Sequence, residues 1–417
     1  MLTLSRRGRI LLCAAVLTYT VAAIPSDRVA KLWAIYNYAT DDTYSRHAVA
    51  ERDGTVFISS GDIDMEWLRD SSAVTTAYMQ QARDTAATRA TVRGVVERQA
   101  RYILIDPYAN AFTEDYRIAE RKFEVDSLLY PVELAFRYWR AYRDTSIFTP
   151  ELQKAFRLAL KVLRTEQHHG TRSTYRSTSL LGGNDGMPFG YTGMIWTGFR
   201  PSDDPAQFPY NIPQNMFAVV ELRQLSAIER QVYRDERSAE DAWGLSVEVQ
   251  NAIERYGVVF VPGFGRIYAY EVDGLGHANL MDDANVPSLL SAPYIGYLDV
   301  RDPIYQATRR FVLSPKNPYY FSGKYASGVG SAHTPRGYVW PLALIVEALT
   351  SVDPAETERV LGYLAASDTG DNALHESFDV NDPARFTRKD FAWPNALFTE
   401  LARGGSLPPE QTKGIGK

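Results

Sequence analysis

TGMIWTGFRPSDDPAQFPYNIPQNM, residues 192–216, is the stretch on which the reading of the chain turns. It sets Trp196, Phe199, Arg200, Asp203 and Asp204 within nine positions, and Pro205, Pro209 and Pro213 follow. Proline supplies no backbone donor and disfavours helix at the residue before it, so the stretch is an irregular loop. A solvated surface loop has little use for aromatics beside fixed charges. A saccharide site does, because aromatic faces cover sugar C–H groups while carboxylates and arginine bind hydroxyls. The competing reading is a proline-rich connector whose aspartates cap the next helix.

Outward from this loop, both flanks are helical in period. Towards the N-terminus helical spacing occupies 150–166, 126–143, 71–104 and 26–38; towards the C-terminus it occupies 214–230, 237–256, 286–297, 303–312, 340–351, 354–366 and 388–403. Brief strands are expected at 54–58 and 265–271. Between the helices lie loops of the same composition as the first: SSGDIDMEWLRDSS (59–72), DPYANAFTEDYRIAERKFEVD (106–126), DGLGHANLMDDANVPSLLSAPYIGY (273–297), KYASGVGSAHTPRGYVWP (324–341) and ALHESFDVNDP (373–383). No run of period-two strands is long enough for a sandwich or a parallel sheet. No Pro/Ser linker divides residues 25–404, so the chain reads as one mainly α domain, with a Gly/Pro-rich tail at 404–417 expected to be disordered. Helical hairpins whose loops gather at one end would form a toroid with a central pocket, and the simplest such architecture is a six-hairpin (α/α)6 barrel. There is no internal repeat of the solenoid kind.

Composition narrows the function classes. The 417 residues are 45% apolar and 23% charged, ordinary for a globular enzyme, while 12% are aromatic. A net charge of −5 lacks the basic excess of a nucleic-acid binder. At the N-terminus, Arg6, Arg7 and Arg9 precede an apolar run from Ile10 to Ile24 with small residues at Val21-Ala22-Ala23. That is the pattern of an export signal over residues 1–24; the run is shorter than the ~20 residues that span a bilayer, which favours a cleaved signal, an uncleaved signal anchor being the alternative. Cys13, the one cysteine, lies inside it, so a processed domain has no disulfide and no thiolate chemistry. Without sequons, an exported protein of this kind fits a periplasm better than a glycosylating secretory route. The expected location is periplasmic or secreted.

Several chemistries are poorly served. His375-Glu376-Ser-Phe-Asp lacks the second histidine of a zinc helix, and no metal site is expected. Gly274-Leu-Gly276 does not complete a dinucleotide fingerprint, and no Gly-x-Ser-x-Gly elbow occurs. Carboxylates remain: Asp62, Asp70, Glu124, Asp126, Asp203, Asp204, Glu271, Asp273, Asp282, Asp283 and Glu376 all fall at or near element ends. Glycosidic cleavage needs two of them, one protonated to donate to the leaving oxygen and one to activate water or attack carbon. The adjacent Asp203 and Asp204 suit the acid, because neighbouring like charges resist double ionisation. Taken singly, each acidic residue reads equally as a helix cap or a surface charge; their repeated company of Trp, Arg and Tyr favours chemistry.

Together these stretches resemble glycoside hydrolase family 125, the metal-independent exo-α-1,6-mannosidases. The likeness rests on GDIDMEWLRDS (61–71), DPYAN (106–110), ERKFEVDSLLYP (120–131), GMIWTGFRPSDD (193–204), YEVDGLGHANLMDDANVPSLL (270–290), YASGVGSAHT (325–334) and LHESFDVNDP (374–383), colinear over nearly the whole chain. WLRD alone is shared with other α/α-toroid glycosidases; GFRPSDD together with HESF is specific. The resemblance implies an (α/α)6 barrel and an inverting exo-hydrolase without cofactor, acting as a monomer on mannose-containing glycans. By that likeness the Asp pair supplies the acid, Asp204 ahead of Asp203, and Glu376 the base. Arg69 and Asp70 are expected to hold the first mannose beside Trp67, with Arg200, Asp283 and His333 as further sugar contacts. One segment, AFTEDYRIA (111–119), is shorter than the family pattern, which bears on subsites beyond the first sugar. Another inverting α-glycosidase on the same toroid, or a glycan-binding protein without turnover, are the alternatives.

Overall fold

The helices begin where the chain chemistry says they should. Five of them carry proline in the first turn, where the missing N–H costs nothing. Thr85, Thr149, Asn211, Asp235, Asp302 and Asp353 cap helices by accepting a backbone N–H in the first turn. The structure, a computed structural model, describes residues 25–41 and 43–407. The export signal expected over 1–24 therefore lies outside the described residues.

Among the described residues, eleven long helices follow in order: α1 (Ser26–Asp41), α2 (Leu68–Gln81), α3 (Ala86–Ile105), α4 (Val125–Tyr142), α5 (Pro150–Gln167), α6 (Ile212–Ile228), α7 (Glu236–Tyr256), α8 (Pro303–Val312), α9 (Pro341–Leu349), α10 (Pro354–Ser367) and α11 (Ala392–Leu401). Their burial divides them into two shells. On α9 every residue from Pro341 to Ala348 is buried, and on α11 nearly every one is. By contrast α5 buries one stripe, Leu152, Ala155, Phe156, Ala159, Leu160 and Leu163, and faces solvent with Lys154, Arg157 and Lys161. A helix apolar all round belongs inside and a striped one outside. Accordingly α2 packs on α4, α4 on α6, α9 on α11 and α11 back on α2, with α3, α5, α7, α8, α10 and α1 around them. The sixth hairpin joins the two ends of the chain, α11 inside and α1 outside.

The inner position between α6 and α9 is not a helix. A helix was expected over 286–297, but the segment forms successive turns. Pro287 and Pro293 remove donors, the Val286–Pro287 peptide is cis, and buried Asp282 accepts from Leu289 N at 2.8 Å and Leu290 N at 2.9 Å. The segment still fills its place: Tyr294 and Ile295 line one small cavity together with Ala73 of α2, Tyr130 of α4, Phe217 of α6 and Trp393 of α11. Other differences are small. The long helical region 71–104 is broken at Ala82–Thr85 into α2 and α3. The expected strand at 54–58 is shortened to Val56–Ile58. Of the tail expected to be disordered over 404–417, the first residues to Ser406 form a helical turn kinked at Gly405, and 408–417 lie outside the described residues.

Three small antiparallel sheets tie the loops together at the N-terminal ends of the inner helices. Glu66–Trp67 pairs with Ala111–Phe112, which pairs with Ile118–Glu120; Tyr210–Asn211 pairs with Glu271–Val272; Tyr338–Val339 pairs with Ser377–Asp379. The motifs far apart in sequence are thereby stitched edge to edge. That is what builds a site.

Candidate active site

A cavity of ≈220 Å³ opens where the inner helices begin, lined by Trp67, Arg69 and Asp70 from the start of α2, Asp203 from the proline-flanked loop, and Glu376 and His333 from the C-terminal third. Helix N-termini carry partial positive charge, so anions concentrated here are favoured by the ring itself. Asp70 lies in the first turn of α2, Asp126 in the first turn of α4, and Glu124 at the cap of α4.

Arg69 is 1% exposed and organises the carboxyls around it. Its Nη1 donates to Glu124 Oε2 at 2.8 Å and to Asp126 Oδ2 at 3.1 Å, and its Nη2 to Asp203 Oδ1 at 3.3 Å; its Nε lies 3.6 Å from Asp70 Oδ1. Burial raises the Asp70, Glu124 and Asp126 carboxyls above their usual range, and Arg69 is the main influence pulling each back. Ser60 Oγ donates to Asp70 Oδ2, and Gln214 Nε2 to Asp126 Oδ1 at 2.6 Å. The guanidinium expected to grip sugar hydroxyls is thus largely spent on fixing carboxyls.

The loop from Phe199 to Ala206 closes on itself: Arg200 N donates to the Asp204 carbonyl at 2.8 Å, Asp203 N to the Arg200 carbonyl at 2.9 Å, and Phe199 bridges Pro205. Asp203 takes the left-handed conformation at φ 66°, which aspartate tolerates better than most residues. Two adjacent carboxyls therefore part company. Asp203 lines the cavity and meets Arg69 and Asn110 Nδ2 (3.1 Å), whereas Asp204 Oδ1 turns to His333 Nδ1 at 3.2 Å and its Oδ2 is buried without a partner among the described residues. The hydrogen bond to Asp204 is the chief reason His333 is pushed up to about 9, with Asp203 and Glu376 also acting on it. At neutral pH it is a cation set among the carboxyls of Asp203, Asp204 and Glu376.

Glu376 is 6% exposed and sits at the foot of the strand Ser377–Asp379. Burial raises its carboxyl, while Arg388, whose Nη1 lies 3.8 Å from Oε1, and His333 draw it back. Trp67, 8% exposed, presents an indole Nε1 that has no partner among the described residues.

Of the residues singled out from sequence, Trp67, Arg69, Asp70, Asp203, His333 and Glu376 are brought to one cavity. Arg200 and Asp283 stand behind it. Arg200 forms a two-pronged ion pair with buried Glu271 (Nε–Oε1 2.6 Å, Nη2–Oε2 3.1 Å), and Asp283 Oδ2 accepts from Ser202 Oγ at 2.8 Å. Both brace the loop that carries Asp203 and Asp204. Lys122, Asn285, Trp340, Arg388 and Phe391 also line the cavity and were given no role from sequence. Lys122 lies in ERKFEVDS and Trp340 in the GYVW run, both conspicuous stretches; Arg388 and Phe391 carry no comparable signal.

Comparison with known proteins agrees with this fold. A metal-independent α-mannosidase from Streptococcus pneumoniae, solved as a non-productive complex with α-1,6-mannobiose, is 40% identical and superposes with a TM-score of 0.88, covering 91% of this chain and 96% of that one. The meiotically up-regulated gene 157 protein of Schizosaccharomyces pombe is 36% identical over 402 residues, 87% of this chain and 79% of that protein. A bacterial glucoamylase complexed with acarbose shares the fold alone, at 13% identity and a TM-score of 0.63 over 89% of this chain and 55% of that one. With the family model for metal-independent α-mannosidases matching residues 29–403, the chain belongs to glycoside hydrolase family 125.

Proposed function

We propose that this α-mannosidase releases single mannose residues from non-reducing α-1,6-linked ends with inversion, Asp203 serving as the acid and Glu376 as the base. The observation that carries the assignment is that Asp203 and Glu376 line the same cavity while Asp204 does not. The α-1,6 linkage is supported by the mannobiose bound in the Streptococcus relative. In the reaction, Asp203 protonates the leaving O6 as the C1–O6 bond breaks and its electron pair passes to oxygen. Glu376 takes a proton from a water that attacks C1 from the opposite face. Cationic His333 stabilises the ionised base, Asp70 offers an acceptor to sugar hydroxyls, and Trp67 forms part of the cavity wall. We place the protein outside the cytoplasm, in a periplasm or secreted, on the strength of residues 6–24.

Incubation with α-1,6-mannobiose tests the reading. Free mannose should accumulate with the wild type and fall by roughly 10²–10⁴-fold in Glu376→Gln. Wild-type rates in that variant would remove Glu376 from the mechanism, and turnover of α-glucosides in place of mannobiose would move the specificity elsewhere.

A further inference from the structure

A hairpin beside the acid delivers a charge pair to the cavity wall. Ala111–Phe112 and Ile118–Glu120 pair across a tight turn, Thr113 N donating to the Arg117 carbonyl at 2.9 Å, and Tyr116 in that turn donates to Asp53 Oδ2 at 2.7 Å. Residues 111–119, the segment shorter than the family pattern, do not line the cavity, whereas Glu120 and Lys122 at its exit do. Extended backbone alternates its sides, and Arg121 between them turns the other way, to Asp106 Oδ2 at 2.6 Å. Lys122 Nζ donates to Glu120 Oε1 at 3.1 Å. Buried Asn110 fixes where this pair stands: its Nδ2 reaches Glu120 Oε2 at 3.2 Å and Asp203 Oδ1 at 3.1 Å, and its Oδ1 accepts from Lys122 N at 3.1 Å. One amide group therefore separates the pair from Asp203, while Glu376 faces Arg388 at 3.8 Å. Burial works against the charge on Lys122, and Asp203 and Glu120 more than offset it, so an ammonium is kept there. An ammonium has three N–H donors and a carboxylate about four acceptor sites. With one donor given to Glu120, and Glu120 accepting from Lys122 and Asn110, the pair retains donors and acceptors side by side. The side chains of Lys122 and Glu120 are 27% and 30% exposed, and ion pairs so placed add little to stability.

Resting on the reading of Asp203 as the acid, we propose that Glu120 and Lys122 hold the departing sugar and so set which glycans are cleaved. An inverting hydrolase has its acid on the leaving-group side and its base across the ring. Wall residues joined to the acid through a single amide therefore border the leaving group, not the sugar being released. A mannose that departs through O6 keeps its ring hydroxyls at C2, C3 and C4. Two adjacent hydroxyls are matched by a donor and an acceptor held close together, which is what Lys122 Nζ and Glu120 present. The pair takes no part in breaking the C1–O6 bond. It makes the site favour a leaving group that is itself a pyranose with an unsubstituted vicinal diol.

The test compares α-1,6-mannobiose with methyl α-mannoside, followed by mannose release at high enzyme concentration. Both leaving groups are unactivated alkoxides that need a proton, and only one of them is a sugar. Lys122→Met and Glu120→Ala should each lower kcat/KM by roughly 10–100-fold on mannobiose and by less than about threefold on methyl α-mannoside, as expected when a hydrogen bond to a charged group is removed. Lys122→Arg keeps a cationic donor and should recover part of the mannobiose rate. Equal losses on the two substrates, or no loss on mannobiose, would overturn the proposal, because a change at the acid or in the fold does not sort two leaving alcohols of the same kind. Asp203→Asn separates the two levels. It should lose both substrates alike, and a variant that kept both would remove the acid reading and this proposal with it. If Asp203→Asn loses both while the Lys122 and Glu120 variants fail to sort them, only the assignment of the leaving-sugar contact falls.

Discussion

Arg69→Met isolates what the buried guanidinium does. Methionine keeps much of the apolar stem and removes the charge, leaving Glu124, Asp126, Asp203 and Asp70, now 2.8, 3.1, 3.3 and 3.6 Å from its nitrogens, without their common cation. Removing one partner of a buried ion pair costs about 3–5 kcal/mol, chiefly from the charge left behind. With an unfolding entropy of about 2.1 cal/mol/K per residue over about 380 residues, the melting midpoint should fall by about 4–6 °C near neutral pH. The pH dependence has a definite sign. Asp70, Glu124 and Asp126 already have folded-state values raised by burial, and losing Arg69 raises them further. A carboxyl with a raised folded-state value costs stability increasingly as pH climbs above its unfolded value near 4. The deficit should therefore be small at about pH 4–5 and full near neutrality, as read by differential scanning calorimetry of the two proteins across that range. A variant melting with the wild type at neutral pH, or a deficit that deepens on acidification, would refute the view that Arg69 holds the carboxyls in place.

Three further outcomes follow from the same geometry. His333, raised to about 9, contributes stability that is complete below its ordinary value near 6.5 and is lost as pH rises through 9; His333→Ala should lack that alkaline decline in thermal melts, and an unchanged decline would assign it to another group. Gly61→Ala should destabilise by more than about 1 kcal/mol and lower mannosidase activity. Gly61 sits at φ 74°, and an added Cβ would fall 2.0 Å from the Asp390 carbonyl, pressing Ser60 and Phe391 off the cavity wall; a variant with wild-type melting and kcat would contradict this. Asp204→Asn should weaken the hold on His333 and lower its titration in NMR, yet keep more turnover of α-1,6-mannobiose than Asp203→Asn does; the reverse order would move the acid to Asp204.

The sequence carried most of the helices because their signals are local. Pro303 and Val312 bound α8 as expected, and α4, α5, α7 and α10 lie within a residue or so of where periodicity put them. The 286–297 segment misled because Leu289, Leu290 and Ile295 keep apolar spacing for an inner wall, while two prolines and the Asp282 side chain prevent the helix. At the site, the residue types were legible and the pointing was not. Asp203 and Asp204 are chemically identical neighbours, and the left-handed turn at Asp203 separates the one lining the cavity from the one bonded to His333. Arg200 and Asp283 looked like ligands for the same reason, being polar and set among aromatics, but partners more than 70 residues away in the chain claim them from beneath. Glu124 stood in view inside ERKFEVDS; Arg69 ties it to Asp203 across the start of α4 and the proline-flanked loop, which no spacing rule connects.

The most direct measurement is the anomer first released from α-1,6-mannobiose, followed by proton NMR from the first moments of hydrolysis. A water poised by Glu376 across the sugar from Asp203 must deliver β-mannose, with the α-anomer growing only as mutarotation proceeds. α-Mannose as the initial product would mean that a carboxylate, and not water, first attacks the anomeric carbon, and the pairing of these two residues as acid and base would be wrong.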